Sequence, residues 1–363
     1  MADQKVARVQ SEEPASSPEP EYDGEIIDES ELLNEFDENT EEIDLTHCRI
    51  RSIKNLEIVN SEGVCRLPQL KYLGLRQNLI TSLNGIEDLP LSIEELDLYD
   101  NLIRHGGRVA RLVNLKSLDL SFNKLKHIPS YKDDEESDGT VKGVIHLSKL
   151  ENLYFVQNKI SKIEHLFDPE LRQAGKPQMA DTLKNLELGG NRIRQIENLD
   201  GFTNLNQLWL GKNKITEFAN LGSNLGATLK ILSIQSNRIT SLKGLENLTE
   251  LEELYISHNG LTNISSLENN KKLRIIDISN NMITKLENLS HLTELEELWA
   301  SYNQLNSFKE VEDQLGHLTK LETVYFEGNP LQTNNRVTYR NKVKLALGPS
   351  LKQIDATYIT SEI

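Results

Sequence analysis

The chain has 363 residues, a formal net charge of −16 and a mean hydropathy of −0.48. The acidity is local: fifteen Asp and Glu and no Lys or Arg lie between Ser11 and Asp44, residues 1–10 carry +1, and the remainder from residue 45 carries −2. A near-neutral body behind an acidic arm speaks against a nucleic-acid-binding surface, which needs net basic charge to displace counterions.

Residues 1–40 mix Pro, Ser and acidic side chains with too few apolar groups to offset the entropy of ordering, so they are predicted to form an unstructured acidic segment. Ile26, Ile27, Leu32, Leu33 and Phe36 interrupt that acidity and are expected to make a helical turn on the first repeat, the alternative being a docking segment for something else. The opening MADQKVARVQSEEP lacks the apolar stretch of a secretory leader, and no segment approaches the ~18 apolar residues of a membrane helix. A soluble, intracellular protein is therefore expected, and the sequons at Asn247, Asn263 and Asn288 are read as by-products of the repeat.

From residue 41 to 330 one pattern dominates, L-x-x-L-x-L-x-x-N. It returns as LKYLGLRQN (Leu70 to Asn78), LKSLDLSFN (Leu115 to Asn123), LKILSIQSN (Leu229 to Asn237) and LEELYISHN (Leu251 to Asn259). Its asparagines fall at 78, 101, 123, 158, 191, 213, 237, 259, 281, 303 and 329, with Cys48 in the same place of a degenerate first copy. This is the leucine-rich-repeat signature. It predicts an α/β solenoid, a horseshoe of about twelve mostly 22-residue repeats with a parallel β-sheet on the concave face and short 3₁₀ or extended turns on the convex side. Strand alternation turns positions four and six inward and positions three, five and seven toward the concave surface. The asparagine amide is expected to turn inward and serve backbone groups left unpaired as the chain leaves the strand. Cys48 is read as a small group in the asparagine slot at the end of the stack.

Two intervals are long, Asn123 to Asn158 and Asn158 to Asn191, and their extra residues, KDDEESDG (132–139) and the Asp168-Pro169 to Lys176-Pro177 stretch, are assigned to loops outside the strands. After Pro330-Leu331, the apolar spacing Val343, Leu345, Leu347, Leu351 and Ile354 predicts a helix and a final strand, a C-terminal cap over residues 331–363.

No catalytic, cofactor or metal constellation is present: the eight histidines are scattered, and HExxH, paired CxxC, the phosphate-binding G-x-x-x-x-G-K-[ST] and G-x-S-x-G are all missing. Gly189-Gly190 belongs to a repeat, LELGGN, and has no lysine or helix after it. The chain is therefore not expected to be an enzyme. Position five reads Asp44, Gly74, Asp97, Asp119, Tyr154, Glu187, Trp209, Ser233, Tyr255, Asp277, Trp299 and Tyr325, so that all but Gly74 and Ser233 are acids or large aromatics and both tryptophans of the chain stand in one column. Position three adds Glu253 and Glu297, among others. Stacking for strand stability explains one aromatic pair but not the acids between them. An exposed aromatic ladder interleaved with carboxylates has the make-up of a protein-binding face for a basic partner.

At these residues the chain resembles the protein phosphatase 1 regulatory subunit 7 family of intracellular leucine-rich-repeat proteins. The resemblance is carried by LDLSFN, LYFVQNKISKIEHL, LELGGNRIRQIENLD, LWLGKNKITEF, LSIQSNRITSLKGLENL, LYISHNGL, LEELWASYNQL and LETVYFEGNPLQ, and runs from about Asp97 to Ile359. It implies a non-catalytic subunit that grips the phosphatase catalytic subunit on its concave face through Asp119, Glu187, Asp277, Glu297, Trp299 and Tyr325. Tyr255 extends the same surface, and Tyr154 and Trp209 stand where the family more often has phenylalanine. It further implies inhibitor-3 in a ternary complex, control of phosphatase activity and maturation, a place in nucleus and cytoplasm with a role in mitosis, a monomer when unbound, and no nucleic-acid or membrane partner. The short docking motif [KR]-[VI]-x-[FW] is absent, in keeping with binding through a folded surface. The alternative is a scaffold like the spliceosomal U2 A-prime protein, which a basic arm would favour and the acidic arm does not.

Overall fold

The computed structural model describes residues 28–130 and 143–359. Each repeat contributes a strand of three residues, from Glu42–Asp44 through Thr323–Tyr325, and these pair in chain order, all parallel, in one sheet. Position five lies beside position five throughout, as in Asp97↔Asp119, Glu187↔Trp209 and Trp299↔Tyr325. The leucines and isoleucines of positions one, four and six and of the returning turns form one continuous core, most of it fully shielded. Burial of this kind is worth roughly 1.5–3 kcal/mol per large aliphatic side chain and depends on the neighbouring repeat being present.

The strands are short because the chain leaves each one through a left-handed residue. Position eight has positive φ in all twelve repeats, from 53° at Gln77 to 75° at Gly328, and in ten of them the residue is not glycine. A left-handed non-glycine residue costs roughly 1–2 kcal/mol, and the asparagine that follows offsets it. Asn213 shows how: its Oδ1 accepts from Ile193 N of the preceding repeat at 3.0 Å, and its Nδ2 donates to Leu188 O at 2.9 Å and Leu210 O at 3.1 Å. The same bonds recur from Asn78 to Asn329. The first copy has no preceding repeat whose N–H needs an acceptor, which is why Cys48 suffices there; its thiol makes only a 3.6 Å contact to Thr46 O.

On the convex side short 3₁₀ turns such as Ile53–Leu56, Ile86–Asp88 and Leu245–Asn247 close the repeats. Gly244 allows one of them: its φ is 107°, and a Cβ there would sit 2.2 Å from Phe218 O.

Several expectations are corrected. Residues 28–40, expected to belong to an unstructured segment, include a regular element. Glu29–Leu33 forms a 3₁₀ helix capped by Asp28, buries Leu33, and is tied down by Arg51 N to Glu29 Oε1 (3.0 Å) and Arg66 Nη2 to Asn34 Oδ1 (3.2 Å). Leu32 and Phe36 pack partly buried against the first repeat, while Ile26 and Ile27 lie outside the described residues. The second long interval is not a plain loop: Pro169–Gln173 is an α-helix whose N-cap, Asp168, accepts from Glu170 N at 2.8 Å. The stretch 132–139 lies outside the described residues. Position seven does not always face outward, for Ser121, Ser257 and Ser301 are buried. The interval from Cys48 to Asn78 is also long and holds a small Val59↔Cys65 antiparallel bridge.

The C-terminal cap has helices Pro330–Thr333 and Tyr339–Leu347, a strand Gln353–Ile354 parallel to the last repeat, and an antiparallel edge Thr357–Tyr358. Asp355 stands in for a further repeat: its Oδ1 accepts from Phe326 N (2.8 Å) and Glu327 N (3.0 Å), while Oδ2 accepts from the Tyr339 hydroxyl (2.9 Å).

Candidate functional site: the concave face

Parallel register brings Asp119, Tyr154, Glu187, Trp209, Tyr255, Asp277, Trp299 and Tyr325 into one column, with Glu297 in the column beside it. The column divides by chemistry. Its N-terminal half is acidic and its C-terminal half aromatic.

In the acidic half the aspartates also have a local task that their spacing in the sequence did not disclose. Asp44, Asp97 and Asp119, like Asp277 in the aromatic half, each accept through Oδ1 from the backbone N–H two residues on, at 3.0, 3.0, 2.7 and 3.0 Å. One carboxylate oxygen thus helps turn the chain out of the strand, which leaves the other for a further partner. Arg76 Nη1 approaches Asp97 Oδ2 at 3.3 Å while its guanidinium lies 4.3 Å from the Tyr99 ring centroid. Among the described residues no cation forms an ion pair with Asp119, although Arg76 acts on it from a distance. Burial pushes its carboxyl above the usual aspartate range, and the neighbouring Asp97 charge adds to the rise. Glu187 is raised for the same reasons, burial first and Asp119 second, and Tyr154 between them is raised chiefly by burial. Ser121 and Arg76 at Asp119, and Asn185 at Glu187, offset this burial cost only in part.

In the aromatic half the rings form a chain of contacts. Trp209 and Tyr255 stack with centroids 6.4 Å apart, across the buried Ser233 of the intervening strand. Tyr255 meets Trp299 at 6.2 Å across Asp277, and Trp299 meets Tyr325 edge-on at 5.9 Å. Position-three acids hold two of the rings: the Tyr255 hydroxyl donates to Glu253 Oε2 at 2.8 Å, and Trp299 Nε1 donates to Glu297 Oε2 at 3.0 Å. Burial and then Glu253 keep the Tyr255 phenol protonated far above its ordinary range. Gln353 Nε2 of the cap donates to the Tyr325 hydroxyl at 2.7 Å. Trp209 Nε1 is covered and has no acceptor among the described residues.

The rings are thus fixed before any partner arrives, with half-buried faces still open. Such a surface accepts apolar side chains and, through ring faces and carboxylates together, Lys and Arg. Among the described residues no group of His, Cys, Asp and Glu could hold a metal ion, and no helix is long and apolar enough to cross a membrane.

Comparison with known proteins agrees with the repeat register. A family model described as leucine-rich repeats in two copies matches residues 181–223, 227–269, 249–291 and 271–312, and a single leucine-rich-repeat model matches 114–131. The chain is 46% identical over 110 residues to protein phosphatase 1 regulatory subunit SDS22 of Saccharomyces cerevisiae, covering 30% of this chain and 31% of that one. It is 34% identical over 209 residues to the protein phosphatase 1 regulatory inhibitor subunit PPP1R7 homolog of Arabidopsis thaliana, covering 52% and 56%. The matches therefore span about a third to a half of those relatives. An internalin from Listeria monocytogenes shares the fold alone, with a TM-score of 0.60 at 22% identity over 91% of this chain and 89% of that one. The chain is a leucine-rich-repeat protein, with the horseshoe architecture its sequence predicts. Within that class it is similar to proteins named as protein phosphatase 1 regulatory subunits, of the SDS22 and PPP1R7 kind.

Proposed function

We propose that the chain is a non-catalytic regulatory subunit that binds the catalytic subunit of protein phosphatase 1 through its concave face. The observation that carries this reading is the preorganised column of carboxylates and interlocked aromatic rings, in a chain whose relatives are named as regulatory subunits of that enzyme. The aromatic half supplies the buried anchors that dominate protein interfaces, and the acidic half steers a basic surface toward them. The net burial cost on the Asp119 and Glu187 charges supports it, because a cationic partner relieves that cost. The same reading extends to inhibitor-3 as a third component, to control of phosphatase activity and maturation, and to nuclear as well as cytoplasmic work, including in mitosis.

Titration of the purified chain with purified catalytic subunit, followed by size-exclusion chromatography with light scattering, tests it. A one-to-one complex whose association slows with salt is expected, since exposed charges are screened over about 8 Å at physiological ionic strength. Absence of a complex at micromolar concentration would remove the proposal.

A further inference from the structure

The two edges of the sheet treat charge in opposite ways. At the strand-entry edge, position two alternates in sign from Glu41 to Lys184 and again from Lys230 to Glu296, and neutralises itself: Lys71 pairs with Glu41 at 2.8 Å, Lys116 with Glu94 at 2.7 Å and Lys184 with Glu151 at 2.9 Å. At the strand-exit edge, the residue directly after the repeat asparagine is basic in five successive repeats: Lys124, Lys159, Arg192, Lys214 and Arg238. None of these five makes an ion pair among the described residues, and all but the half-buried Lys214 are exposed. Lys and Arg make up only 40 of the 363 residues, so composition alone does not supply five running places.

The backbone fixes the spacing of this column. The N–H of each of the five donates to a carbonyl of the preceding repeat at 2.8–2.9 Å, from Lys124 N to Ile103 O through Arg238 N to Ile215 O. Their backbones are therefore spaced one strand apart, about 4.8 Å each, and about 19 Å from first to last. Like charges set side by side in this way destabilise the fold that carries them. Two clefts, of 620 and 400 Å³, open beside the column; Lys126 joins it in the first and Arg194 in the second, where Glu197 is the one carboxylate in the lining.

We infer that this edge is a docking strip for an extended acidic polypeptide segment, a site separate from the concave column. The length of the strip matches about six extended residues at roughly 3.3 Å each. Its charge is the complement of an Asp- or Glu-rich run. A nucleic acid fits less well, because single strands are held by aromatic platforms interleaved with cations. The residues from the basic position through the third after the asparagine, Lys124–Lys126 to Arg238–Thr240, include no aromatic side chain.

Fluorescence anisotropy with a labelled decaglutamate peptide, using the full chain, tests the assignment against two triple variants with equal change in net charge. Replacing Lys159, Arg192 and Lys214 by Ala is expected to weaken peptide binding by about tenfold or more at low salt, and replacing the paired Lys71, Lys116 and Lys184 by Ala by less than about twofold. Circular dichroism melting of both variants separates binding loss from misfolding, and Lys→Arg replacement at 159 and 214 is expected to retain binding. Trp299→Ala is expected to leave peptide affinity unchanged, which keeps this site distinct from the concave one. Equal loss in the two triple variants, no binding by the unaltered chain, or tighter binding of a decauridylate through the same residues would overturn the proposal.

Discussion

Truncating one rung of the asparagine ladder, Asn213→Ala, tests why the repeats hold together. Ile193 N loses its Asn213 acceptor in a fully shielded position. Leu188 O keeps Asn191 Nδ2 at 3.0 Å, and Leu210 O keeps Asn237 Nδ2 at 2.9 Å, so each of those carbonyls loses only one of two donors. One orphaned buried N–H costs about 1–3 kcal/mol, and the two weakened carbonyls add about 0.5–1 kcal/mol more. The expected loss is thus about 1.5–4 kcal/mol, measured as a shift of the urea midpoint with an unchanged slope. Hydrogen exchange at the Ile193 amide adds a local readout, with protection there expected to fall furthest. Cys48→Ala is the matched control: with no preceding repeat to serve, it is expected to cost less than about 1 kcal/mol. Equal losses at the two positions, or unchanged protection at Ile193, would refute the ladder as the source of this stability.

Three further outcomes follow from the same geometry. Burial raises the Asp119 carboxyl above its ordinary value of 3.8, so the folded chain holds that proton more tightly than the unfolded chain and stability falls as pH climbs from 3.8 to the raised value, beyond which the cost is fully present. Asp119→Asn keeps an acceptor for Ser121 N and removes the charge, so its melting temperature at pH 7 is expected to exceed that of the unaltered chain; a lower one would contradict the burial argument. Trp209→Phe removes an indole N–H that has no acceptor, so calorimetry is expected to show neutral or slightly raised stability, against the several kcal/mol lost on typical core aromatic truncation. Leu33→Ala is expected to cost about 2–4 kcal/mol in chemical denaturation, because Leu33 is buried against the first repeat; no loss would mean that Glu29–Leu33 is not part of the cooperative unit.

The period of the leucines made the fold legible, since a 22-residue recurrence leaves one way to bury every apolar edge. The left-handed turn at position eight was not legible, because residues as different as Gln77, Phe122, Lys212 and His258 adopt it. Backbone geometry set by stacking overrides side-chain preference there. The helix Pro169–Gln173 did announce itself, in an N-cap aspartate followed by proline, but the length of the interval drew attention to a loop instead. At the concave face, alternation placed the column, yet only register shows that Trp209 reaches Tyr255 over a serine and that the aspartates turn their own backbone. The basic strip escaped notice because a net charge averages over edges, whereas pairing distinguishes them.

The central claim is that the aromatic half of the concave column anchors the phosphatase catalytic subunit, and binding of that subunit to Trp299→Ala tests it most directly. Trp299 contacts both Tyr255 and Tyr325 and is held by Glu297, so its removal opens the middle of the ring chain. Truncating an anchoring aromatic at an interface commonly costs about 2 kcal/mol or more, equivalent to roughly thirtyfold in affinity. Calorimetric titration is expected to show at least that loss, with only a modest fall in melting temperature, while Lys309→Ala on the outer helix Phe308–Leu315 binds normally. A folded Trp299→Ala that binds the catalytic subunit as tightly as the unaltered chain would contradict the account.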